Sequence, residues 1–235
     1  QAVGNLQAMV RESLKRMSMN FDQARFNMVE QQVRPWEVLD EQVLKLLETT
    51  HREDFVPVRY RKMAFSDMAI PLDNDQSMMK PVVEGRLLQA LELQPDETVL
   101  EIGTGSGFIT ACLAQMAKRV VSVDVHEQFT SKAAAILKEK DIDNVELETG
   151  NAMTGWQPEQ AHDVVVVTGS VEDIPDHFRG WVNPRGRLFV VCGDEPAMEA
   201  KLLTKLNATE WREESLFETD LARLIDAEKA PEFKF

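Results

Sequence analysis

Residues 101–107, Glu101-Ile102-Gly103-Thr104-Gly105-Ser106-Gly107, set three glycines at alternate positions directly behind an acidic side chain. Thr98 to Ile102 reads as a β-strand and Phe108 onward as a helix, so the glycines sit in a strand-to-helix turn, the context that gives such a motif meaning. Glycine there permits positive φ and lets a ligand approach the backbone. The first N–H groups of the following helix lack intrahelical partners and can meet polar atoms of a ligand. A dinucleotide site calls for G-x-G-x-x-G, with a pyrophosphate against the helix N-terminus. Here the spacing is G-x-G-x-G and position 108 is Phe. S-Adenosylmethionine carries no phosphate. It needs close backbone approach to its sulfonium and amino-acid portion and an acid near its cationic amine, and Glu101 suits that part. The pattern favours this cofactor over a nicotinamide or a purely structural turn, with Glu101, Gly103, Thr104, Gly105, Ser106 and Gly107 as the candidate contacts.

Two further segments complete the candidate donor site. Val120-Val121-Ser122-Val123-Asp124 reads as the next strand, and Asp124 lies about 20 residues beyond the first glycine, where a carboxylate accepts hydrogen bonds from ribose hydroxyls. Either cofactor would use Asp124, with Val125 beside it, in that way. Glu148-Thr149-Gly150-Asn151-Ala152 follows the third strand, where an adenine would lie. Asn151 could accept from the adenine amino group and donate to a ring nitrogen, with Ala152 alongside; a plain turn is the alternative.

The elements that must position these residues alternate. Helices are expected over Val83 to Leu91, Phe108 to Met116, Phe129 to Lys140 and Ile174 to Trp181. Strands are expected over Thr98 to Ile102, Arg119 to Asp124, Val145 to Glu148, Asp163 to Thr168 and Arg187 to Val191. That order indicates an α/β fold with a doubly wound, Rossmann-like, mostly parallel sheet covered by helices on both faces. Upstream, Asn20 to about Thr50 is helical in pattern, with an interruption at Val33-Arg34-Pro35 and an N-cap at Asp40. Residues 58–80 read as an irregular loop. Near the end, Lys201 to Leu206 reads as the end of a helix, and Trp211 to Phe217 with Leu221 to Ile225 as an antiparallel pair. Three regions follow: 1–18, an upstream extension or remnant; 19–80, a helical segment with a substrate-side loop; and 81–235, the cofactor-binding domain.

A net charge of −14 argues against a nucleic-acid partner, because phosphate binding needs clustered Lys and Arg and the densest basic stretch in the first half is only Arg59-Tyr60-Arg61-Lys62. No apolar run approaches the ~20 residues that cross a bilayer, and no signal-peptide pattern opens the chain, so no membrane role and a cytoplasmic location are expected. Cys112 and Cys192 fit buried thiols of a reducing compartment, and no spacing suggests a metal site. Nothing in the sequence sets the oligomeric state.

Taken together the segments resemble the protein-L-isoaspartate O-methyltransferase family of class I methyltransferases. The resemblance runs from about Glu41 to the late 190s. It includes Arg52-Glu53-Asp54-Phe55-Val56-Pro57, Ala64-Phe65-Ser66-Asp67, Ile70-Pro71, Leu100 to Gly107, Asn144-Val145, Gly150 and Val167-Thr168. It implies about seven strands with a reversed last strand, S-adenosylmethionine as donor, and the carboxylate of an isoaspartyl residue in a damaged protein or peptide as acceptor, or another small carboxylate. It also adds Thr168 to the donor site, places Gln76 and Ser77 at the catalytic position, and puts Ile70, Pro71, Asp75 and Met79 on the substrate side.

The chain departs from that family in the acceptor loop. A Gly-Gln-Thr-Ile-Ser segment before a proline becomes Asp75-Gln76-Ser77-Met78-Met79-Lys80-Pro81. Met79 replaces a serine and cannot donate its hydrogen bond. Asp75 adds negative charge where an anionic acceptor is expected. Gly-Asp-Gly becomes Gly150-Asn151-Ala152, and Val-Thr-Ala-Ala becomes Val167-Thr168-Gly169-Ser170. Two alternatives stay open: a class I methyltransferase with a different acceptor, and a homologue that only binds the donor.

Overall fold

The computed structural model describes residues 20–228; the extension expected over 1–18 lies outside them. Helical backbone over 20–28 (α1) runs into a π turn at Val29–Val33 and a 3-10 turn at Arg34–Trp36. Contrary to the break expected at Val33-Arg34-Pro35, Arg34 keeps α backbone (φ −56°, ψ −45°), and the chain turns away only at Glu37, φ 65°. The widened turn ahead of Pro35 relieves the clash of its ring with the carbonyl one turn back. Asp40 caps the next helix, Glu41–Thr49 (α2), as its sequence predicts: its side chain accepts from the N–H groups of Gln42 and Val43.

Residues 58–80, expected to be irregular, contain a 3-10 turn at Val58–Met63 and a short hairpin, Ile70–Pro71 (β1) with Ser77–Met78 (β2). Asn74 and Asp75 at its tip both have positive φ, 57° and 56°, the pairing a tight primed hairpin turn requires. Asp75 therefore fills a left-handed position that the family gives to glycine, which Asp tolerates better than most residues. Pro81–Leu91 (α3) follows, with Pro81 in the first turn, where a missing N–H costs nothing.

The main sheet holds seven strands: Thr98–Ile102 (β3), Arg119–Asp124 (β4), Val145–Thr149 (β5), His162–Val171 (β6), Val182–Cys192 (β7), Met198–Lys205 (β8) and Trp211–Thr219 (β9). Their order is β5-β4-β3-β6-β7-β8-β9, and the first five run parallel. Phe108–Met116 (α4), Glu127–Glu139 (α5) and Asp176–Gly180 (α6) connect them. Successive residues feed opposite cores. Val99, Val120, Val164 and Val166 join the core under α2, α3 and α4, while Leu100, Val121, Val165 and Val167 join the one under α6. That two-sided burial explains the unbroken valines of β6. The N-terminal segment belongs to the larger core, through Met28, Val33 and Phe55.

Three expectations near the end are corrected. Lys201 to Leu206 ends no helix; Met198–Lys205 is strand β8, antiparallel to β7. Trp211–Thr219 pairs with β8, and Leu221 to Ile225 forms no strand, making only a bridge from Arg223 to Ser170. The reversed strand is the sixth rather than the last, because β9 reverses again and points with β7. Burial along β8 changes phase where its register with β9 slips, between Ala200 and Lys201, so Met198, Ala200 and Leu203 mimic helical spacing.

Candidate functional site

Connections from β3 lead one way along the sheet and those from β6 the other, so the carboxyl ends of these two strands form the switch point where open α/β sheets bind ligands. A cleft bounding about 850 Å³, part of it open to solvent, lies there. Its walls come from the 101–106 turn, the ends of β4 to β6, the β1–β2 hairpin and the segment after β9.

The glycine turn is built from within. Gly103 takes φ 104°, and a Cβ on it would lie 2.5 Å from the Thr168 hydroxyl oxygen, so only glycine lets β3 and β6 meet this closely. That hydroxyl sits against the carbonyls of Ile102 and Gly103. Gly107 takes φ 81° and starts α4, and its Cα faces α5, where a Cβ would come within 2.9 Å of the Ala133 Cβ. Gly107 is thus a packing residue outside the cleft, whereas Gly103, Thr104, Gly105 and Ser106 line it.

Glu101 is fully buried at the cleft floor. Its Oε2 accepts from the hydroxyls of Thr110 (2.5 Å) and Ser122 (2.6 Å), and Ser122 also meets the hydroxyl of Thr104 at 2.6 Å. Among the described residues Oε1 has no partner. Burial pushes this carboxyl up to about 8; the two hydroxyls pull it down and the nearby Asp124 charge pushes it up. Asp124, at the end of β4, accepts from the Gly105 N–H and the His126 N–H, both at 2.9 Å. Burial raises its carboxyl, against the pull of those two N–H groups.

Asn151, Ala152 and Val125 also line the cleft. Both arms of Asn151 are engaged within the protein: its side-chain oxygen accepts from the Met153 N–H at 2.9 Å and its amide donates to Asp226 at 2.7 Å. In this arrangement it organises a turn. Thr168 and Gly169 lie where β6 slips against β7, between Val166 and Ser170. That irregularity turns both into the cleft. It also seats residues 221–225. A Cβ at Gly169 would lie 2.5 Å from the Leu224 side chain, and the Ser170 hydroxyl donates to the Leu221 carbonyl at 2.8 Å. The two departures from Ala-Ala therefore make a berth for the segment after β9.

On the opposite side Gln76, Ser77 and Met79 line the cleft, with Met79 buried in its wall. The other substrate-side candidates fall elsewhere, because the hairpin presents only one face inward. Ile70 is buried in the core, and Pro71 and Asp75 are exposed and outside the cleft lining. Sequence reasoning missed Leu72, Phe108, Ile109, His126 and Phe129 around the donor turn, and Ala222, Leu224 and Ile225 behind it. Adjacency to the motifs could have found the first group. The last three carry no local signal.

The residues present fit S-adenosylmethionine. A buried carboxylate oxygen without a partner, facing a cleft, is where a cationic amine belongs. The Asp124 oxygens each keep a lone pair for a hydroxyl donor.

Comparison with known proteins follows the same line. The family model for protein-L-isoaspartate(D-aspartate) O-methyltransferase matches residues 24–228. The protein-L-isoaspartate O-methyltransferase of Opitutus terrae is 34% identical over 192 residues, covering 80% of this chain and 82% of its own length. Protein-L-isoaspartate O-methyltransferase 1 of Rhodopseudomonas palustris is 33% identical over 210 residues, covering 89% and 86%. Among solved structures, a Plasmodium falciparum chain described as a protein-L-isoaspartate O-methyltransferase, in complex with S-adenosyl-L-homocysteine, superposes with a TM-score of 0.73 at 16% identity, over 85% of this chain and 97% of that one. That last likeness is one of fold.

Proposed function

The chain belongs to the protein-L-isoaspartate(D-aspartate) O-methyltransferase family, and from that premise we propose that its cleft transfers a methyl group from S-adenosylmethionine to the carboxylate of an isoaspartyl residue in a damaged protein. One observation carries the reading: the donor-side turn 103–106, with the unpartnered Glu101 Oε1 beneath it, and the acceptor loop Gln76–Met79 line the same cleft.

When bound, the donor supplies an electrophilic methyl group on a sulfonium sulfur. The chain's residues bind, orient and exclude water. Glu101 receives the amine of the donor, and Asp124 receives its ribose hydroxyls. Gln76 and Ser77 offer an amide and a hydroxyl toward the acceptor oxygen. An acceptor carboxylate with a pKa of about 4 is already ionised at neutral pH, so no general base is needed. Alignment in a dry site then supplies the acceleration, and Leu72, Met79 and Leu224 are among the apolar side chains that line it.

A second reading, a different acceptor, is favoured by the acceptor side itself. The Met79 side chain donates no hydrogen bond, and among the described residues no Lys or Arg lines the cleft. Among them, too, no helix is long and apolar enough to cross a membrane. We place the enzyme in the cytoplasm, in keeping with two free cysteines.

The test has two stages. S-Adenosylhomocysteine at ~100 times its dissociation constant should stabilise the protein by about 2.7 kcal/mol. No shift, beside a clear shift from NAD, would remove the cofactor. Methyl release from an isoaspartyl peptide then separates the two acceptor readings: release supports isoaspartate, and donor binding without release points to another acceptor.

A further inference from the structure

Arg52 lies in the 3-10 turn Arg52–Asp54 after α2, far from the glycine turn in sequence. Its side chain is 0% exposed, and Glu84, in the first turn of α3, is 1% exposed. The guanidinium meets Glu84 with two bonds of 2.9 Å, from Nε to Oε2 and from Nη2 to Oε1. Two more of its donors go to main-chain carbonyls: Nη1 to Ala64 at 2.8 Å and Nη2 to Met79 at 2.6 Å. Its plane also lies over the ring of Phe108, 5.4 Å from the centroid, and Phe108 is the first residue of α4. One side chain thus touches the acceptor loop, the helix after it and the helix that begins at the donor turn.

Stability is a poor reason for this pair. Desolvating both ions costs several kcal/mol, and a well-packed apolar pair of similar volume commonly does as well or better. An apolar pair could not hold the carbonyls of Met79 and Ala64, which would be left buried without those donors. Only a planar, multiply donating cation reaches Glu84 and both carbonyls from one position.

We propose that Arg52, with Glu84 as its counter-charge, is a positioning residue for methyl transfer: it acts through Met79, fixing the Gln76–Met79 loop at a set distance from the donor turn. The role rests on the reading of the cleft as the place of transfer. Met79 is the point of action because its carbonyl is held by Arg52 while the residue itself lines the cleft.

The experiment compares wild type, Arg52→Lys and the double variant Arg52→Met/Glu84→Met, each saturated with S-adenosylhomocysteine. Amide hydrogen exchange is followed over residues 76–80 and, as a control, over strand β4, residues 119–124. The double variant replaces the ion pair by apolar groups but leaves the Ala64 and Met79 carbonyls without their donors, so it should fold and melt roughly 5–15 °C below wild type. Its 76–80 amides should exchange about tenfold faster or more, with 119–124 unchanged and donor-product affinity within about threefold. Arg52→Lys keeps the charge but cannot reach both carbonyls, so it should also loosen 76–80. It carries the comparison if the double variant does not fold. With an isoaspartyl peptide, kcat should fall about 10- to 100-fold in both variants while donor KM stays level, as expected when an acceptor is misplaced by about 1 Å. Exchange over 76–80 equal to wild type in folded variants overturns the proposal, whatever the turnover. Loosened 76–80 in an enzyme whose wild type methylates no isoaspartyl peptide leaves the positioning role standing and removes the isoaspartyl acceptor instead.

Discussion

The carboxylate of Asp124 accepts the backbone N–H of Gly105 at 2.9 Å, tying the end of the second strand to the middle of the glycine turn. Asp124 therefore shapes the donor turn as well as facing the cleft. Asp124→Ala should lose both functions, weakening S-adenosylhomocysteine binding and lowering stability by ~1–3 kcal/mol each. Asp124→Asn keeps an acceptor for Gly105 and should recover most of the stability but less of the affinity. Calorimetric titration beside chemical denaturation separates the two. Affinity unchanged in Asp124→Ala would argue against the ribose role.

Glu101 should make the ligand-free protein sensitive to alkali. Its carboxyl holds a proton up to about pH 8 in the folded chain, against 4.5 ordinarily. Between those values the folded state binds more protons than the unfolded one, so this group's contribution to stability falls as pH rises. Melting temperature should drop between about pH 5 and about pH 8 more steeply in wild type than in Glu101→Gln. Glu84, whose carboxyl burial also raises, is present in both proteins and cancels in the comparison. S-Adenosylhomocysteine should flatten the wild-type curve by bringing an amine to the ionised carboxylate. Parallel curves for the two ligand-free proteins would contradict this account.

Gly107 and Gly105 should respond differently to alanine. At Gly107 the new Cβ meets Ala133 at 2.9 Å and the backbone is left-handed, so Gly107→Ala should cost ~1–3 kcal/mol through strain and a displaced helix contact. At Gly105 the nearest atom outside the turn is the Leu72 side chain at 3.7 Å, which is ordinary contact. Gly105→Ala should cost ~1–2 kcal/mol, from its left-handed backbone alone, and should act mainly on donor affinity. Donor affinity weakened equally by the two substitutions would show that the two glycines do not have these separate roles.

Met79→Ser returns a hydroxyl to the acceptor loop. A hydrogen bond to a charged group contributes ~1.5–3 kcal/mol, so kcat/KM for an isoaspartyl peptide should rise about tenfold or more. Removing a buried side chain from the cleft wall should lower stability by ~2–4 kcal/mol. A folded variant that binds donor product yet gains no activity would assign the acceptor to another chemistry.

Much of the donor side was legible because its parts are contiguous. Strand, glycine turn and helix start occupy residues 98–108, and Asp124 follows one strand later, so short-range pattern carries the arrangement. Asp40 was legible as a cap for the same reason: cap and helix are neighbours. β8 was not, since its burial phase depends on a slip against β9 that only pairing reveals. Nor was it legible that Gln76 and Ser77 line the cleft while Asp75 does not, because the side to which a hairpin points its residues is set by what the hairpin packs on.

By itself the sequence determined the alternation of helices and strands from α3 to β7, the donor turn and the family, because these rest on residues a few positions apart. Only the tertiary structure decided how the cleft is closed. The segment carrying Leu224 meets Gly169 there, and Arg52 reaches across to the Met79 carbonyl. Such contacts join residues that chain order keeps apart, and their energies depend on burial, which exists only once the sheet and its helices have packed.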